Sequence, residues 1–531
     1  MEVMQHAGSI ESMENKQISG YYQLLQDDNE GKVTIEALWD FMAQNGIQKN
    51  DPRLDKVKDE LAKVQSEKGK SANKLLSPAL FEELVRNNRI LRKCCNRNFV
   101  IPEFTDFTKE LTEIFTKVKA NTEGQVAQYI PQLARVNPEQ FAMSICTVDG
   151  QQFSIGDSGK AFCLQSSCKP INYCLAIEEH GEKLVHQHVG REPSGHSFNE
   201  LSLNKNHLPH NPMINAGAIM CLSLVENQKK LYHRFEKVSN TWSALCGNRT
   251  IGFNNSVYQS ERLTADRNFA LAYFMREHQA FPANTDLAET LEFYFQACSI
   301  ESCTADTAIA AATLANAGIN PLTGNCVFGE TTVQHCLSLM LSCGMYDFSG
   351  EFAFKVGLPA KSGVSGVILL VIPNVAGISI WSPRLDELGN SVRGIEFCQD
   401  LVDRFNFHNY DSLRKSTSKK NPRLRRQEGN VNKVVSLIWA ASNGDLEELN
   451  RLAAEGVNLG IADYDGRTAL HLAAAEKQKE ALEFLISQGV DLEPKDRWGG
   501  TPLSEAERVG HKKVAKLLKA AISAKAKEQK A

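Results

Sequence analysis

One stretch restricts the fold of this chain more than any other, and it reads Phe162-Cys163-Leu164-Gln165-Ser166-Ser167-Cys168-Lys169-Pro170. Pro170 fits a helix best in its first turn, where backbone N–H groups have no intrahelical partner. Apolar residues then recur at helical spacing, at positions 171, 174 and 175, which indicates that an apolar helix starts here. Ser166 and Lys169 are three residues apart and share one face of such a helix. The stretch therefore predicts a serine at a helix N-terminus with an amine one turn away, the arrangement of an activated nucleophile.

The Ser-x-x-Lys spacing alone is weak evidence, because it occurs elsewhere in the chain. The other copies are Ser71/Lys74, Ser202/Lys205, Ser412/Lys415 and Ser416/Lys419. Those at 71, 412 and 416 lie in lysine-rich polar runs, where a solvated serine and a surface lysine are expected. The copy at Ser166 instead follows apolar residues and precedes an apolar helix. Because a buried lysine can lose its proton and an exposed one does not, this copy is the one predicted to hold a base.

A second element, Lys361-Ser362-Gly363, supports the same interpretation. It leads into the apolar, β-branched run Val364 to Ile372, which predicts a buried strand. A Ser-x-x-Lys motif followed by a Lys-[Ser/Thr]-Gly strand is the pattern of the serine β-lactamase and penicillin-binding group. Another pair of strands is predicted on either side of Asp149-Gly150, a strong hairpin signal. Strands at both ends with helices between them favour an α+β domain, with helices on an antiparallel sheet.

Composition argues against several other classes of protein. The net charge of −4 over 531 residues gives no global reason to expect nucleic acid as a partner. Fourteen cysteines without a C-x-x-C spacing predict buried free thiols in a reducing compartment rather than disulfides or a zinc site. The longest apolar run, Val364 to Trp381, is interrupted by Pro373-Asn374 and predicts a hairpin, so no membrane span is expected. Residues 1–17 contain three glutamates and no arginine, which is typical of neither a signal peptide nor a mitochondrial presequence.

Four segments are predicted along the chain. Residues 1–118 are helical and include an EF-hand-like loop from Gln26 to Ala37, in which neither end residue is the Asp or Glu that calcium requires. No calcium site is therefore expected. Residues 119–410 form the α+β domain, and residues 411–433, rich in lysine and arginine, are predicted to be a basic linker.

The fourth segment, residues 434–531, is repetitive. Thr468-Ala469-Leu470-His471-Leu472-Ala473 recurs 33 residues later as Thr501-Pro502-Leu503-Ser504-Glu505-Ala506, and a weaker copy starts near Ser436. A period of 33 with the pattern T-P-L-H-x-A is the ankyrin signature, and three repeats are about the minimum for stability. The segment carries no catalytic constellation, so we expect it to bind a protein partner or to serve a structural role.

Taken together, the chain resembles the animal glutaminases, which combine an EF-hand-like helical region, a β-lactamase-like serine amidase domain and ankyrin repeats. The resemblance rests on the stretches Ala127-Gln128-Tyr129-Ile130-Pro131-Gln132-Leu133, Phe162 to Ser166, His210-Asn211-Pro212-Met213-Ile214-Asn215-Ala216-Gly217-Ala218, Gln259-Ser260-Glu261-Arg262, Asp266-Arg267-Asn268, Cys343-Gly344-Met345-Tyr346 and Leu358-Pro359-Ala360-Lys361-Ser362-Gly363-Val364. It implies hydrolysis of L-glutamine to L-glutamate and ammonia through a glutamyl-enzyme intermediate. It also implies activation by inorganic phosphate without a metal or another cofactor, and assembly into tetramers, higher oligomers or filaments. Animal members usually work in mitochondria, whereas the N-terminus of this chain, which is not typical of a presequence, leaves a cytosolic, a mature and an alternatively started form open.

The resemblance also assigns roles to residues. Ser166 would attack the amide carbon, Lys169 would accept its proton, and Tyr346 with Tyr129 behind it would relay a proton to the departing ammonia. The backbone N–H groups of Ser166 and of Val364, on the facing strand, would form the oxyanion hole. Glutamine would be held by an acidic side chain at its α-ammonium and by neutral side chains at its α-carboxylate and its amide. These are Glu261 for the ammonium, Asn215, Asn268 and Tyr294 for the carboxylate, and Gln165, Tyr346 and Val364 as further substrate contacts.

Two other functions remain open at this point. A β-lactamase or penicillin-binding enzyme shares both motifs, but it would need export and would not be expected to carry ankyrin repeats. A non-enzymatic ankyrin scaffold on an inactive amidase domain is the alternative from another class. Against the scaffold, none of the expected catalytic side chains is replaced.

Overall fold

The predicted buried strands form the centre of a sheet in the computed structural model of the chain. The structure describes residues 22, 25, 33–67, 75–195, 200–411, 419–424, 426–454 and 457–528. By internal packing the chain divides into two units, 1–410 and 411–531. Each unit has apolar cores of its own.

The strands of the first unit are short, and most of their residues are apolar. They are β1 (Val33–Thr34), β2 (Leu75–Leu76), β3 (Ala142–Thr147), β4 (Gln152–Gly156), β5 (Phe162–Cys163), β6 (Gly252–Phe253), β7 (Ile300–Ser302), β8 (Ala360–Gly363), β9 (Val367–Ile372) and β10 (Ala376–Trp381). Five of them form an antiparallel sheet in the order β4-β3-β10-β9-β8. A smaller sheet has the order β5-β7-β6, and β1 pairs with β2.

The five-stranded sheet is covered by helices on both faces, as predicted for the α+β class. In β9, residues 367, 369 and 371 belong to one core, and residues 368, 370 and 372 belong to the other. This alternation is the period of two that side chains follow in a strand. The structure corrects one boundary: the strand begins at Val367, and Lys361 to Gly363 form the separate strand β8. Val364 therefore lies in the turn between β8 and β9, not in a strand.

Helices of the first unit fall into groups according to the core they enter. Those on one face are Lys169–Val185, Asn215–Leu224, Leu231–Leu245, Asp266–Glu277, Leu287–Cys298, Thr304–Ala315 and Glu330–Cys343. Those on the other are Phe104–Lys119, Ser349–Lys355 and Val392–Arg404. Pro131–Ala134 and Asn255–Leu263 are outside both groups, and 3₁₀ turns occur at Pro52–Leu54, Gln165–Cys168 and Tyr346–Phe348. The Thr304–Ala315 helix lies so close to β10 that a Cβ on Gly377 would overlap the backbone at Ala311 and Ala312.

The N-terminal helices have a core of their own, and this region contacts the five-stranded sheet through the β3–β4 turn. They are Ile35–Gln44, Asp55–Glu67, Pro78–Asn87 and Arg89–Asn96. Arg53 Nη1 donates to the carbonyl of Asp149 at 2.6 Å, and Lys93 pairs with the carboxylate of Asp149 at 3.2 Å. The Phe104–Lys119 helix, assigned from the sequence to the segment ending at 118, instead packs into the core of the sheet. The loop residues 26–32 lie outside the described residues.

In the described part of the second unit the helices form three pairs, in agreement with the predicted repeats. They are Arg426–Asn443 with Leu446–Ala454, Ala469–Ala475 with Lys479–Ser487, and Pro502–Arg508 with Lys512–Glu528. The repeated threonines begin the second and third pairs, where the N–H of Thr468 donates to His471 Nδ1 at 3.1 Å and the N–H of Thr501 donates to Ser504 Oγ at 2.7 Å. The first helix starts at Arg426, so the predicted linker ends in a helix rather than extending to residue 433.

The cysteines match the expectation from composition. All fourteen cysteines are free, and most are buried. None of the helices within the described ranges is both long and apolar enough to cross a membrane.

Candidate active site

Ser166 lies in a short 3₁₀ turn that runs directly into the helix that begins with Lys169. The turn is Gln165–Cys168 and the helix begins at Lys169, so Pro170 lies in its first turn as predicted. The turn is fixed from outside, because the N–H of Leu164 donates to the carbonyl of Ile300 in β7 at 2.8 Å. Gln165 adopts a φ of 50°, in the left-handed region that few side chains favour. Both functional side chains are enclosed: Ser166 is 8% exposed and Lys169 is fully buried.

Lys169 is held by an uncharged partner. Its Nζ donates to Asn215 Oδ1 at 2.7 Å, and Asn215 is the first residue of the Asn215–Leu224 helix. Burial lowers the pKa of Lys169 from its ordinary value to about 8, while the neighbouring Cys298 and Cys168 act in the opposite direction. Because the amide of Asn215 carries no charge, it orients the amine without compensating a buried cation as a carboxylate would.

A second buried lysine and a tyrosine complete this side of the site. Lys361 in β8 is fully buried, and its Nζ donates to the carbonyls of Ser362 at 2.7 Å and Gly344 at 3.1 Å. The same Nζ lies 4.6 Å from the centre of the Tyr346 ring. Burial raises the pKa of Tyr346, and a hydrogen bond with the Ser166 side chain opposes that rise. The phenol is therefore placed against Ser166 and stays protonated at neutral pH.

The three residues predicted for an α-carboxylate form one hydrogen-bonded group. Asn215 Nδ2 donates to Asn268 Oδ1 at 3.1 Å, and the Tyr294 hydroxyl donates to Asn215 Oδ1 at 3.2 Å. Because Asn215 also accepts from Lys169, this group is continuous with the base. Sequence reasoning assigned Asn215 to the substrate alone, and no sequence signal links positions 169 and 215.

Glu261, the residue predicted to bind an α-ammonium, has hydrogen-bond partners in two different parts of the chain. Tyr129 donates its hydroxyl to Glu261 Oε1 at 2.6 Å, and Gln165 Nε2 donates to the same oxygen at 2.9 Å. Burial raises the pKa of Glu261, and these two hydrogen bonds oppose the rise. The hydroxyl of Tyr129 is thus hydrogen-bonded within the Glu261 group, which favours a role in holding Glu261 over the predicted relay through Tyr346.

Val364 is the first residue of the turn after β8. That turn packs closely on the 3₁₀ segment, since a Cβ on Gly363 would lie 2.9 Å from the carbonyl oxygen of Leu164 and 3.4 Å from the N of Ser167. The turn itself is closed by a hydrogen bond from the N–H of Gly366 to the carbonyl of Gly363 at 2.8 Å. The structure therefore places the two predicted oxyanion-hole residues on adjacent segments.

The site combines an enclosed hydroxyl, an amine of lowered pKa, a phenol and two polar groups able to hold a zwitterion. This arrangement suits nucleophilic attack on an uncharged carbonyl group. Within the described ranges, no group of three or more His, Cys, Asp or Glu side chains is arranged to hold a metal ion. No sequence signal indicated that Cys168 and Cys298 both lie near Lys169, although Cys168 directly precedes Lys169 in the chain.

Comparison with known proteins identifies relatives of this chain. The family model described as Glutaminase matches residues 124–410, more than half of the chain, and models for ankyrin repeats and an EF-hand domain match residues 437–528 and 20–102. The mitochondrial liver isoform of glutaminase from Mus musculus is 45% identical over 494 residues, covering 92% of this chain and 82% of the relative. A glutaminase from Nostoc is 42% identical over 307 residues, covering 58% of this chain and 91% of the relative.

Solved structures show the same relationship. One described as a probable glutaminase is 35% identical, with a TM-score of 0.54, and covers 56% of this chain and 96% of its own. The family model matches more than half of the chain, and relatives more than 40% identical match it over most of their own length. These matches favour glutaminase over the alternative enzyme classes. This chain belongs to the glutaminase family.

Proposed function

We propose that this chain hydrolyses L-glutamine to L-glutamate and ammonia with Ser166 as nucleophile and Lys169 as base. The observation that carries the proposal is the environment of Lys169, three residues after Ser166. Its amine is fully buried, its pKa is lowered to about 8, and its hydrogen-bond partner is uncharged. An amine of that pKa is partly neutral near physiological pH and can accept the serine proton. The names of the relatives support the choice of substrate.

The proposed reaction proceeds in two halves. Ser166 Oγ attacks the carbon of the γ-amide as its proton moves to Lys169 Nζ, and the tetrahedral oxyanion accepts hydrogen bonds from the N–H groups of Ser166 and Val364. Collapse breaks the C–N bond, and the departing nitrogen takes a proton from Lys169 by way of the Tyr346 hydroxyl. A water molecule then attacks the glutamyl ester and gives a proton to Lys169. The ester C–O bond breaks as that proton passes to Ser166 Oγ, which releases glutamate and restores the serine.

Substrate recognition follows from the charges of the two polar groups. Glutamine offers one cation, its α-ammonium, which suits the carboxylate of Glu261 with its Tyr129 and Gln165 partners. Its α-carboxylate suits the neutral donors of Asn215, Asn268 and Tyr294. The distance between the two groups and Ser166 would discriminate glutamine from its shorter homologue asparagine.

The test is ammonia release by the full chain from glutamine, with asparagine as the comparison substrate. We expect release from glutamine, a large preference over asparagine, and its loss in Ser166→Ala, with Ser202→Ala as the matched control because it removes the serine of another Ser-x-x-Lys copy. Quenching the reaction should leave a glutamyl group on the peptide that contains Ser166. Full activity of Ser166→Ala would contradict the mechanism, and no release from glutamine would contradict the function.

Phosphate activation, oligomer formation and a mitochondrial location belong to the same proposal. They are supported by the resemblance to animal glutaminases and, for the location, by the name of the mouse relative. Repeating the assay with and without inorganic phosphate, together with sedimentation analysis in both conditions, tests the first two. Fractionation of cells that express the full chain tests the third. We also propose a protein partner for the repeats, to be tested by pull-down with residues 411–531.

A further inference from the structure

Two cysteine thiols meet directly beneath the catalytic lysine. Cys168 is fully buried and precedes Lys169, and Cys298 is the last residue of the Leu287–Cys298 helix, which also carries Tyr294. The two side chains are hydrogen-bonded to each other, and Asn172 Nδ2 donates to Cys168 Sγ at 3.5 Å. The 3₁₀ segment and the helix that contribute these thiols pack against each other.

A second thiol pair in the same domain provides an internal comparison. Cys174 and Cys336 are also buried and hydrogen-bonded to each other. Burial raises the pKa of Cys174, with its partner adding to the rise. The pKa of Cys168 is instead lowered, first by the hydrogen bond with Cys298 and then by the lysines at 169 and 361, against the effect of burial. The pKa of Cys298 is raised, first by its hydrogen bond with Cys168 and then by burial. Because the thiolate is the reactive form of cysteine, we expect Cys168 to be the member of this pair that reacts first.

We propose that Cys168 and Cys298 form an oxidisable dithiol, which a hydroperoxide converts to a disulfide that switches off the neighbouring active site. In the first step the Cys168 sulfur attacks one oxygen of hydrogen peroxide, the O–O bond breaks, and a sulfenic acid and one water form. In the second step the Cys298 sulfur displaces the sulfenic hydroxyl as a second water. The two thiols lose two electrons and the peroxide gains them, so atoms and electrons balance.

The position of the pair explains why the disulfide would inhibit. The Cys298 thiol is hydrogen-bonded to the Tyr294 hydroxyl, which donates to Asn215, the partner of Lys169. A covalent S–S bond is much shorter than a contact between two thiols, so the segments that carry Lys169 and Tyr294 must shift. A displacement of about 1 Å in an active site can cost about 100-fold in rate.

The experiment treats the full-length protein with hydrogen peroxide and maps its thiols by peptide mass spectrometry. We expect a peptide pair joined through Cys168 and Cys298 that has lost two hydrogen atoms, while Cys174 and Cys336 stay reduced. Oxidation of Cys326, which is exposed, shows that the oxidant was delivered. Turnover should fall at least about tenfold as the cross-link accumulates and return on reduction with dithiothreitol.

Variants separate this pair from the other thiols. Cys298→Ser keeps a small hydrogen-bonding side chain and should prevent both the cross-link and the reversible loss of turnover. Cys336→Ser, the matched control, should leave both unchanged, and Cys168→Ser gives a second test if Cys298→Ser folds poorly. A cross-link confined to Cys174 and Cys336, no cross-link at all while Cys326 is oxidised, or a complete cross-link with full turnover would each overturn the proposal. The mapping is independent of activity, so a failure of the proposed glutamine hydrolysis would not be confused with it.

Discussion

Among single residues, Lys169 determines the expected pH dependence of the reaction. Burial lowers its pKa to about 8, so below that pH the protonated amine predominates and cannot accept the proton of Ser166. Turnover should therefore rise as the pH passes through about 8 and then level off. Tyr346 must stay protonated to serve the leaving ammonia, and since burial raises its pKa, the alkaline decline should come well above the rise. Turnover measured across this range under saturating glutamine checks the sign, and a rate that falls through pH 8 would contradict it.

Substitution distinguishes a base from a mere positive charge at position 169. Lys169→Arg keeps the cation but cannot deprotonate in a protein, so it should lose turnover as severely as Lys169→Ala. Lys205→Arg is the matched control, because Lys205 belongs to the Ser202 copy of the motif and is exposed. An arginine variant that keeps more than about a tenth of the wild-type turnover, a penalty under ~1.4 kcal/mol, would exclude Lys169 as the base.

Charge at Glu261 is expected to govern binding rather than turnover. Glu261→Gln retains the shape of the side chain and an acceptor for Tyr129 and Gln165, but it removes the attraction for the α-ammonium. We expect a loss of about 1.5–3 kcal/mol, seen mainly as a higher KM. Tyr129→Phe should shift KM in the same direction by less, whereas Tyr273→Phe, at a comparably exposed tyrosine, should not. An unchanged KM for Glu261→Gln would remove this residue from the pocket.

At this scale the sequence identifies residues better than it identifies their partners. The Ser166 and Lys169 spacing and the apolar setting were sufficient to predict an enclosed pair. The bond from Lys169 to Asn215 joins positions 46 residues apart, and that from Tyr129 to Glu261 joins positions 132 apart. Such contacts depend on how helices are packed, and residue types and local periodicity do not determine that packing.

At the scale of secondary structure, apolar runs and turn residues located the hairpins but not every boundary. The Asp149-Gly150 turn joins β3 to β4, and Asn374 lies between β9 and β10 with a φ of 61°. The missed break before Val367 occurs at Gly366, whose φ of 94° closes the turn after β8. The Phe104–Lys119 helix was assigned to the wrong neighbour. Its apolar face indicates that the helix is packed, but it does not indicate which core the helix joins.

Gly344, at the C-terminus of the Glu330–Cys343 helix, packs against β8 and should not tolerate a side chain. A Cβ on Gly344 would overlap the carbonyl oxygens of Ala360 and Met340, and the Gly344 carbonyl accepts from both the N–H of Ser362 and Lys361 Nζ. Gly344→Ala should destabilise the domain by about 1–3 kcal/mol or more and should displace Lys361. The control is Gly350→Ala in a nearby helix, where the space is open and alanine should be neutral or stabilising. Denaturant unfolding of both variants checks the difference, and equal stabilities would contradict the predicted close approach.

For the molecule as a whole, the division after residue 410 separates the predicted active-site residues from the ankyrin repeats. Every predicted catalytic and substrate residue lies between 129 and 364, inside the first unit. The buried repeat core, which includes Leu449, Leu482 and Leu518, belongs to the second unit. The repeat period predicts a separate core for this part of the chain, because ankyrin repeats stack on one another and form a core along the stack.

The repeats should accordingly be dispensable for turnover. A chain that ends at Tyr410 keeps the sheet, both of its helical layers and all predicted site residues, and the Nostoc relative has 91% of its own length matched by only 58% of this chain. We expect its turnover per active site to stay within about twofold of the full chain, a difference of less than ~0.5 kcal/mol in the barrier.

Because removal of a unit can also change solubility or assembly, a full-length variant provides a second test. Leu482→Asp places a charge at a fully buried position and should unfold only the repeats, again with normal turnover. Circular dichroism and active-site titration of both proteins establish how much folded enzyme is present, so a folded protein that turns over more than about tenfold slower would show that the repeats contribute to the chemistry.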